Sequence, residues 1–206
     1  MHMFDNILTE EQKELIPYFE QFSREYCLVG GTAIALHIGH RKSIDFDLFT
    51  LDRIKPKVIN RWMDSLPFEE KRIIFENSDQ IHMNIDGVRT TFFSFPFKIQ
   101  CLNNINGLPF PSLLTLAAMK AFALGGRAKW KDYVDLFFII KYHHSIKPII
   151  KEAGELFPDR FVSGQFRRQL RYFNDIDYDE TVDYCVDPVP EERIKHFLTG
   201  VSIDPF

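Results

Sequence analysis

The sequence predicts an α+β chain: mixed helices and strands in residues 1–102, then a helical region over residues 103–206. Three observations predict it. Residues 43–49 alternate apolar and polar, which is the strand period, and 71–76, 80–85 and 88–95 follow as a run of strands. Asp86-Gly87 between the last two is a strong hairpin turn signal. From Ser112 onward the spacing becomes helical, over 112–124, 131–143, 147–156, 162–172 and 190–199.

The first half reads as follows. Ile7, Leu8, Leu15, Phe19 and Phe22 fall near helical spacing, so 6–25 is expected as a helix, and Thr9-Glu-Glu-Gln12 has the form of a capping box. The short apolar run Tyr26–Val29 reads as a buried strand that Gly30-Gly31 breaks. A helix over 32–38 then opens on Thr32, and residues 55–66 form another. Pro96 ends the sheet region. Residues 103–111, with two Pro and one Gly, read as a loop. That loop is the natural boundary, and a site in the cleft between the halves is expected.

Composition narrows the function classes. The 206 residues are enough for one substantial core or two small lobes. Phe is abundant, at 21 copies, which suggests a core built on aromatics. A formal net charge of -4 excludes nucleic-acid binding by bulk charge, though not a local basic patch. Cys27, Cys101 and Cys185 are too far apart for a CxxC-type zinc site. Being odd in number, they argue against a disulfide framework and for a reducing cytoplasm. No apolar run reaches the length of a membrane span, and the N-terminus lacks the layout of a secretory signal.

The most informative segment is Leu28–Phe49. Asp45 and Asp47 are two apart on a predicted strand, so both side chains leave one face, while Ile44, Phe46 and Leu48 take the other. Two carboxylates side by side repel, and a bound divalent cation removes that penalty. Hard oxygen ligands suit Mg²⁺ or Mn²⁺. Gly30-Gly31 lets a phosphate approach the backbone, the helix that follows offers free N–H groups, and Thr32 adds a hydroxyl. Singly, Asp-x-Asp is more often a solvated edge and Gly-Gly a turn. In this order and spacing they form the kit for nucleotide transfer from a nucleoside triphosphate.

A strand, Gly30-Gly31-Thr32, a helix and then Arg41-x-Ser43-x-Asp45-x-Asp47 resembles the DNA polymerase β nucleotidyltransferase superfamily. More narrowly, the chain resembles the AbiEii/AbiGii toxin family of type IV toxin–antitoxin and abortive-infection systems. Lys120, Arg127 and Lys131-Asp132-x-x-Asp135-Leu136 carry the narrower likeness, and Phe173-Asn-Asp175 resembles the family's tail.

The resemblance implies a polymerase β-like core of mixed sheet and flanking helices in 1–102. The helical region 103–206 would pack on it to form the active-site cleft. It implies a cytoplasmic, metal-dependent transferase that moves a nucleoside monophosphate from a nucleoside triphosphate to an RNA, such as the 3′ end of tRNA, or to a protein hydroxyl. An antitoxin partner is implied as well. Asp45 and Asp47 would hold Mg²⁺ or Mn²⁺ and act in catalysis. Gly30, Gly31 and Thr32 would bind the triphosphate, and Arg41 and Ser43 would shape the loop or contact the nucleotide. Lys120 would neutralise phosphate charge, with Asp132 and Asp135 as further active-site candidates.

Polymerase β-type enzymes commonly carry a third carboxylate on a later strand, and the matching place here is Thr91. A hydroxyl is a poor metal ligand and a poor base. A degenerate relative that binds a nucleotide or a partner protein is therefore the alternative.

In the second half, a Lys at 120 on an apolar helix stripe needs an anionic partner or loses its charge. Asp135, between Val134 and Leu136, is costly unless paired, with Lys120 or Arg127 as the available cations. Two basic runs, Arg127/Lys129/Lys131 and Arg167/Arg168/Arg171, are either RNA-binding patches or solvated helix faces. Other motifs fail. There is no Walker loop, and Asp175-x-Asp177-x-Asp179 lacks the Gly and Glu a calcium loop needs.

Overall fold

The computed structural model describes residues 3–204, so the first two and last two residues of the chain lie outside the description. Two compact units emerge. One comprises the described residues through Ile38 together with Lys42–Ser112. The other comprises Gly39–Arg41 and the described residues from Leu113 onward.

The first unit is built on a five-stranded sheet. Its strands are β1 (Cys27–Val29), β2 (Asp45–Thr50), β3 (Lys71–Glu76), β4 (Gln80–Ile85) and β5 (Val88–Ser94), in the order β1-β2-β5-β4-β3. Only β2 and β5 run parallel; the other neighbours are antiparallel. Alternation decides which face is buried. Phe46, Leu48, Ile81, Met83, Thr90 and Phe92 all point into the core. Much of the Phe content goes there, in edge-to-face contacts. Phe19 meets Phe46 at 5.2 Å, Phe22 meets Phe92 at 5.0 Å, and Trp62 meets Phe92 at 5.6 Å.

Helices α1 (Glu10–Leu15), α2 (Gly30–Ile38) and α3 (Pro56–Ser65) complete this unit with a small hairpin. Thr9 caps α1 in the expected capping box with Gln12. The expected 6–25 helix is instead divided. Short 3₁₀ stretches, Asp5–Ile7 and Ile16–Phe22, flank α1. Pro17 cannot donate the i→i−4 bond that would carry the α-helix onward. The segment expected as a loop holds the hairpin β6 (Asn103–Ile105) and β7 (Leu108–Phe110). Its turn is Asn106-Gly107, with φ of 47° and 90°, a positive-φ pair that Asn-Gly adopts at low cost.

The cysteine expectation is corrected. Cys27 and Cys101, 74 residues apart, form a disulfide with Cα atoms 6.4 Å apart, and Cys185 is free and exposed. An odd count excludes complete pairing but not one bridge.

The second unit is helical: α4 (Leu113–Leu124), α5 (Trp130–Tyr142), α6 (Ile146–Leu156), α7 (Ser163–Gln169) and α8 (Glu191–Ile203). Every residue of α5 from Asp132 to Ile140 is buried, so the helix has no solvated stripe. Any charge on it must be matched inside the unit. No helix among the described residues is long and apolar enough to cross a membrane.

Candidate active site

In the sheet unit, β1 runs directly into α2. Gly30 makes the turn with φ of +74°, and a Cβ at that position would overlap Oδ2 of Asp47. The register agrees, since Val29 lies opposite Asp47. Glycine is required twice over, by its backbone angle and by the carboxylate against it. Thr32 is fully buried. Its hydroxyl donates to the carbonyl of Asp45 and, at 3.4 Å, to that of Ser43. Gln12 Nε2 donates to the same Ser43 carbonyl at 2.9 Å. Thr32 and Ser43 thus join the start of α2 to the start of β2, which places Asp45 and Asp47 beside the glycine turn.

Asp45 and Asp47 leave the sheet face opposite Phe46 and Leu48, and both are half-buried. Arg89 grips Asp45 in bidentate fashion, Nε to Oδ1 at 2.7 Å and Nη2 to Oδ2 at 3.1 Å. With Arg89 45% exposed, such a pair contributes about 0–1 kcal/mol to stability, but it fixes the carboxylate plane. Thr91 stands directly opposite Asp47 across β2 and β5. Among the described residues no cluster of three or more His, Cys, Asp or Glu could hold a metal. The donor set is therefore two carboxylates on one face. That fits Mg²⁺, which commonly takes one or two carboxylates and completes its shell with water and substrate phosphates.

In the helical unit, the other expected residues form one buried cluster. Asp135 is fully buried. Arg41 Nε reaches its Oδ1 at 2.7 Å and Nη2 its Oδ2 at 2.9 Å. His40 Nε2 meets Oδ1 at 2.7 Å, and Lys120 Nζ lies 3.0 Å from Oδ2. Lys120 also pairs with Asp132, which Arg127 approaches at 3.2 Å.

Burial works to raise the Asp135 pKa, but Arg41, Lys120 and His40 hold it well below the usual carboxylate range. Burial works to lower that of Lys120, but Asp132 and Asp135 outweigh it and keep the ammonium charged. Burial depresses the His40 pKa despite its Asp135 partner, with Arg41 and Lys120 adding to the effect. Arg41 therefore sits in the helical unit on Asp135, and Lys120 has two carboxylate partners. The basic runs are partly engaged. Lys129 and Lys131 pair with Glu180, and Arg167 donates to the carbonyls of Ser202 and Asp204.

The family described as "Nucleotidyl transferase AbiEii toxin, Type IV TA system" matches residues 16–203. The chain belongs to the AbiEii nucleotidyltransferase toxin family. This AbiEii chain is 29% identical to the Aquifex aeolicus (strain VF5) protein aq_aa25, over 95% of its own length and 96% of that protein's. Its fold is similar to that of MenT4, the nucleotidyltransferase toxin Rv2826c from Mycobacterium tuberculosis H37Rv. The TM-score is 0.63 at 13% identity, covering 93% of this chain and 80% of that one. JHP933 from Helicobacter pylori is similar with a TM-score of 0.57 at 17% identity, covering 95% and 91%. The mixed five-stranded sheet with flanking helices is thus the nucleotidyltransferase toxin fold.

Sequence reasoning missed Arg89 and its grip on Asp45. It also missed the pairing of His40 with Asp135. Arg89 is two residues from Thr91 on an alternating strand, so its face was legible. Its partner depended on which strand lies beside β2. Nothing local pairs His40 with a residue 95 positions away.

Proposed function

We propose that this AbiEii family member is an active, metal-dependent nucleotidyltransferase and the toxin of a type IV toxin–antitoxin pair. It moves a nucleoside monophosphate from a nucleoside triphosphate to an RNA or protein hydroxyl. The observation that carries this reading is Asp47 lying against Gly30. A carboxylate pair and a glycine turn at a helix N-terminus occupy one place, where phosphate and cation chemistry can meet.

Gly30 and Gly31 let the triphosphate approach the backbone, and the first N–H groups of α2 bind its oxygens. Asp45 and Asp47 hold Mg²⁺ or Mn²⁺, which supplies positive charge to the phosphates. Thr32 and Ser43 keep β2 aligned with α2. Arg89 keeps the Asp45 carboxylate oriented. The acceptor hydroxyl attacks the α-phosphorus in line and loses its proton to solvent, the bond from that phosphorus to the oxygen it shares with the β-phosphate breaks, and pyrophosphate leaves. In the helical unit, Asp135, Arg41 and His40 are positioning residues that anchor the chain between α2 and β2. Lys120 and Asp132 are the charged groups of that unit assigned to activity. The work is cytoplasmic, and an antitoxin partner is expected.

A second reading is a non-catalytic relative that binds nucleotide or a partner protein, and Thr91 opposite Asp47 is what favours it. One assay separates the two. Protein is mixed with each α-labelled nucleoside triphosphate, Mg²⁺ or Mn²⁺, and total tRNA, beside Asp45→Ala and Lys120→Ala. Label on RNA or protein that both variants lose supports the transferase. Nucleotide binding without any label supports the second reading.

A further inference from the structure

Strand β3 stands at the end of the sheet order, with β4 as its neighbour on one side. It reads Lys71-Arg-Ile-Ile-Phe-Glu76, and Ile73, Ile74 and Phe75 are 38%, 55% and 45% exposed. Three consecutive large apolar residues on a sheet edge form a template for a further strand. The backbone is oriented for one. Asp86 N donates to the Glu70 carbonyl at 2.8 Å, and Asn77 N donates to the Gln80 carbonyl at 3.0 Å. The residues flanking β3 thus point these groups at β4. Alternation then turns the N–H and C=O groups of Lys71 and Glu76 outward.

A bulge and a lysine on an edge commonly discourage pairing with an arbitrary strand. Here the bulge has a further consequence. Lys71 lies opposite Ile85 and Glu76 opposite Ile81, both core isoleucines, so the two charges share the core-side face. Arg72 lies opposite Asn84 and Phe75 opposite His82, on the other face. In a regular strand, residues five apart leave opposite faces. The register break between Ile73 and Phe75 brings Lys71 and Glu76 onto one face.

β3 is therefore complementary to itself run backwards. A two-fold axis between Ile73 and Ile74 sets Lys71 against Glu76 of a second copy, Arg72 against Phe75, and Ile73 against Ile74. The outward backbone groups of Lys71 and Glu76 meet in that register, and a guanidinium meets an aromatic ring. Lys71 Nζ donates to the carbonyls of Asp64 and Leu66, and Glu76 Oε2 accepts from Asn60. An ammonium has a third hydrogen to give, and a carboxylate has a second oxygen to accept it.

We propose that the protein self-associates through β3, antiparallel about this two-fold axis, so that two five-stranded sheets become one. A second copy is the occupant because the same six residues supply both members of every opposed pair. The contact is small for a specific interface, so the dimer is reversible, with a Kd in the micromolar range. The proposal is independent of the transferase reading.

Sedimentation velocity on the full chain at low salt, from micromolar to submillimolar concentration, tests it. The expected result is a monomer–dimer equilibrium without larger species, since a two-fold contact closes on itself. Lys71→Glu and Glu76→Lys each set like charges against one another twice, and each alone is expected to weaken the dimer about tenfold. Mixed in equal amounts, the two variants are expected to associate as the unsubstituted chain does, because each then meets the opposite charge at both positions. Glu14→Lys makes the same change of charge on exposed α1 and is expected to leave the equilibrium unchanged. Thermal melting checks that each variant is folded. A chain that stays monomeric throughout the range overturns the proposal, as does open-ended growth. A dimer indifferent to both substitutions overturns it, and so does a mixture that associates no better than either variant alone.

Discussion

Thr91 faces Asp47 across the parallel pair β2 and β5, where a third carboxylate would complete the acidic set. Thr91→Asp tests the position directly. Without divalent metal, the added charge opposite Asp47 is expected to lower stability by about 1 kcal/mol. Added Mg²⁺ is expected to restore it. Melting curves in EDTA and in Mg²⁺ read the effect, with Thr91→Asn as the uncharged comparison. Equal Mg²⁺ response in both variants would mean that the position does not share a cation with Asp47.

Gly30 and Gly87 both have positive φ, +74° and +83°, but only Gly30 has a carboxylate where a Cβ would sit. Gly87→Ala is expected to cost about 1–2 kcal/mol through its backbone angle alone. Gly30→Ala is expected to cost more and to displace Asp47, so that Mg²⁺-dependent nucleotide binding is lost as well. Equal denaturant midpoints for the two variants would contradict the close approach.

The buried cluster around Asp135 sets the acid response. His40 has a depressed pKa, so its share of stability is complete above about pH 6.5, its unfolded value. That share is lost as pH falls through the folded value. Asp135 holds its charge to far lower pH, and its contribution fails only in strong acid. Lys120 acts at the other end, its contribution complete below about pH 10.4 and lost as pH rises through its raised value. His143, also depressed, adds to the acid side. Melting temperature is expected to hold level from pH 7 to 10 and to fall below 6.5. His40→Gln is expected to flatten that acid slope, and an unchanged slope would remove His40 from the account.

The bridge from Cys27 to Cys101 closes a long loop within the sheet unit. By chain entropy it contributes on the order of 4 kcal/mol. Thiol titration of the denatured, unreduced chain is expected to find one thiol, Cys185, and three after reduction. Cys101→Ser is expected to lower the denaturant midpoint of the oxidised protein. Three thiols before reduction would show the pair open in solution.

The sequence by itself determined the strand that carries Asp45 and Asp47, the glycine turn, the helical second half and the family. Alternation, Gly-Gly and capping residues act within a few positions, so neighbouring residues suffice to read them. It also placed both aspartates on one face, because that follows from the period of a strand alone. Only the tertiary structure decided who stands beside them. Arg89 on Asp45, Arg41 and His40 on Asp135, and Cys27 with Cys101 all join positions 44 or more residues apart. Such pairs depend on strand order and helix packing, which minimise buried unpaired charge and apolar exposure over the whole chain. The Asn106-Gly107 hairpin lies between the two cases. Its signal was local, but the prolines around it read as loop until β6 and β7 paired.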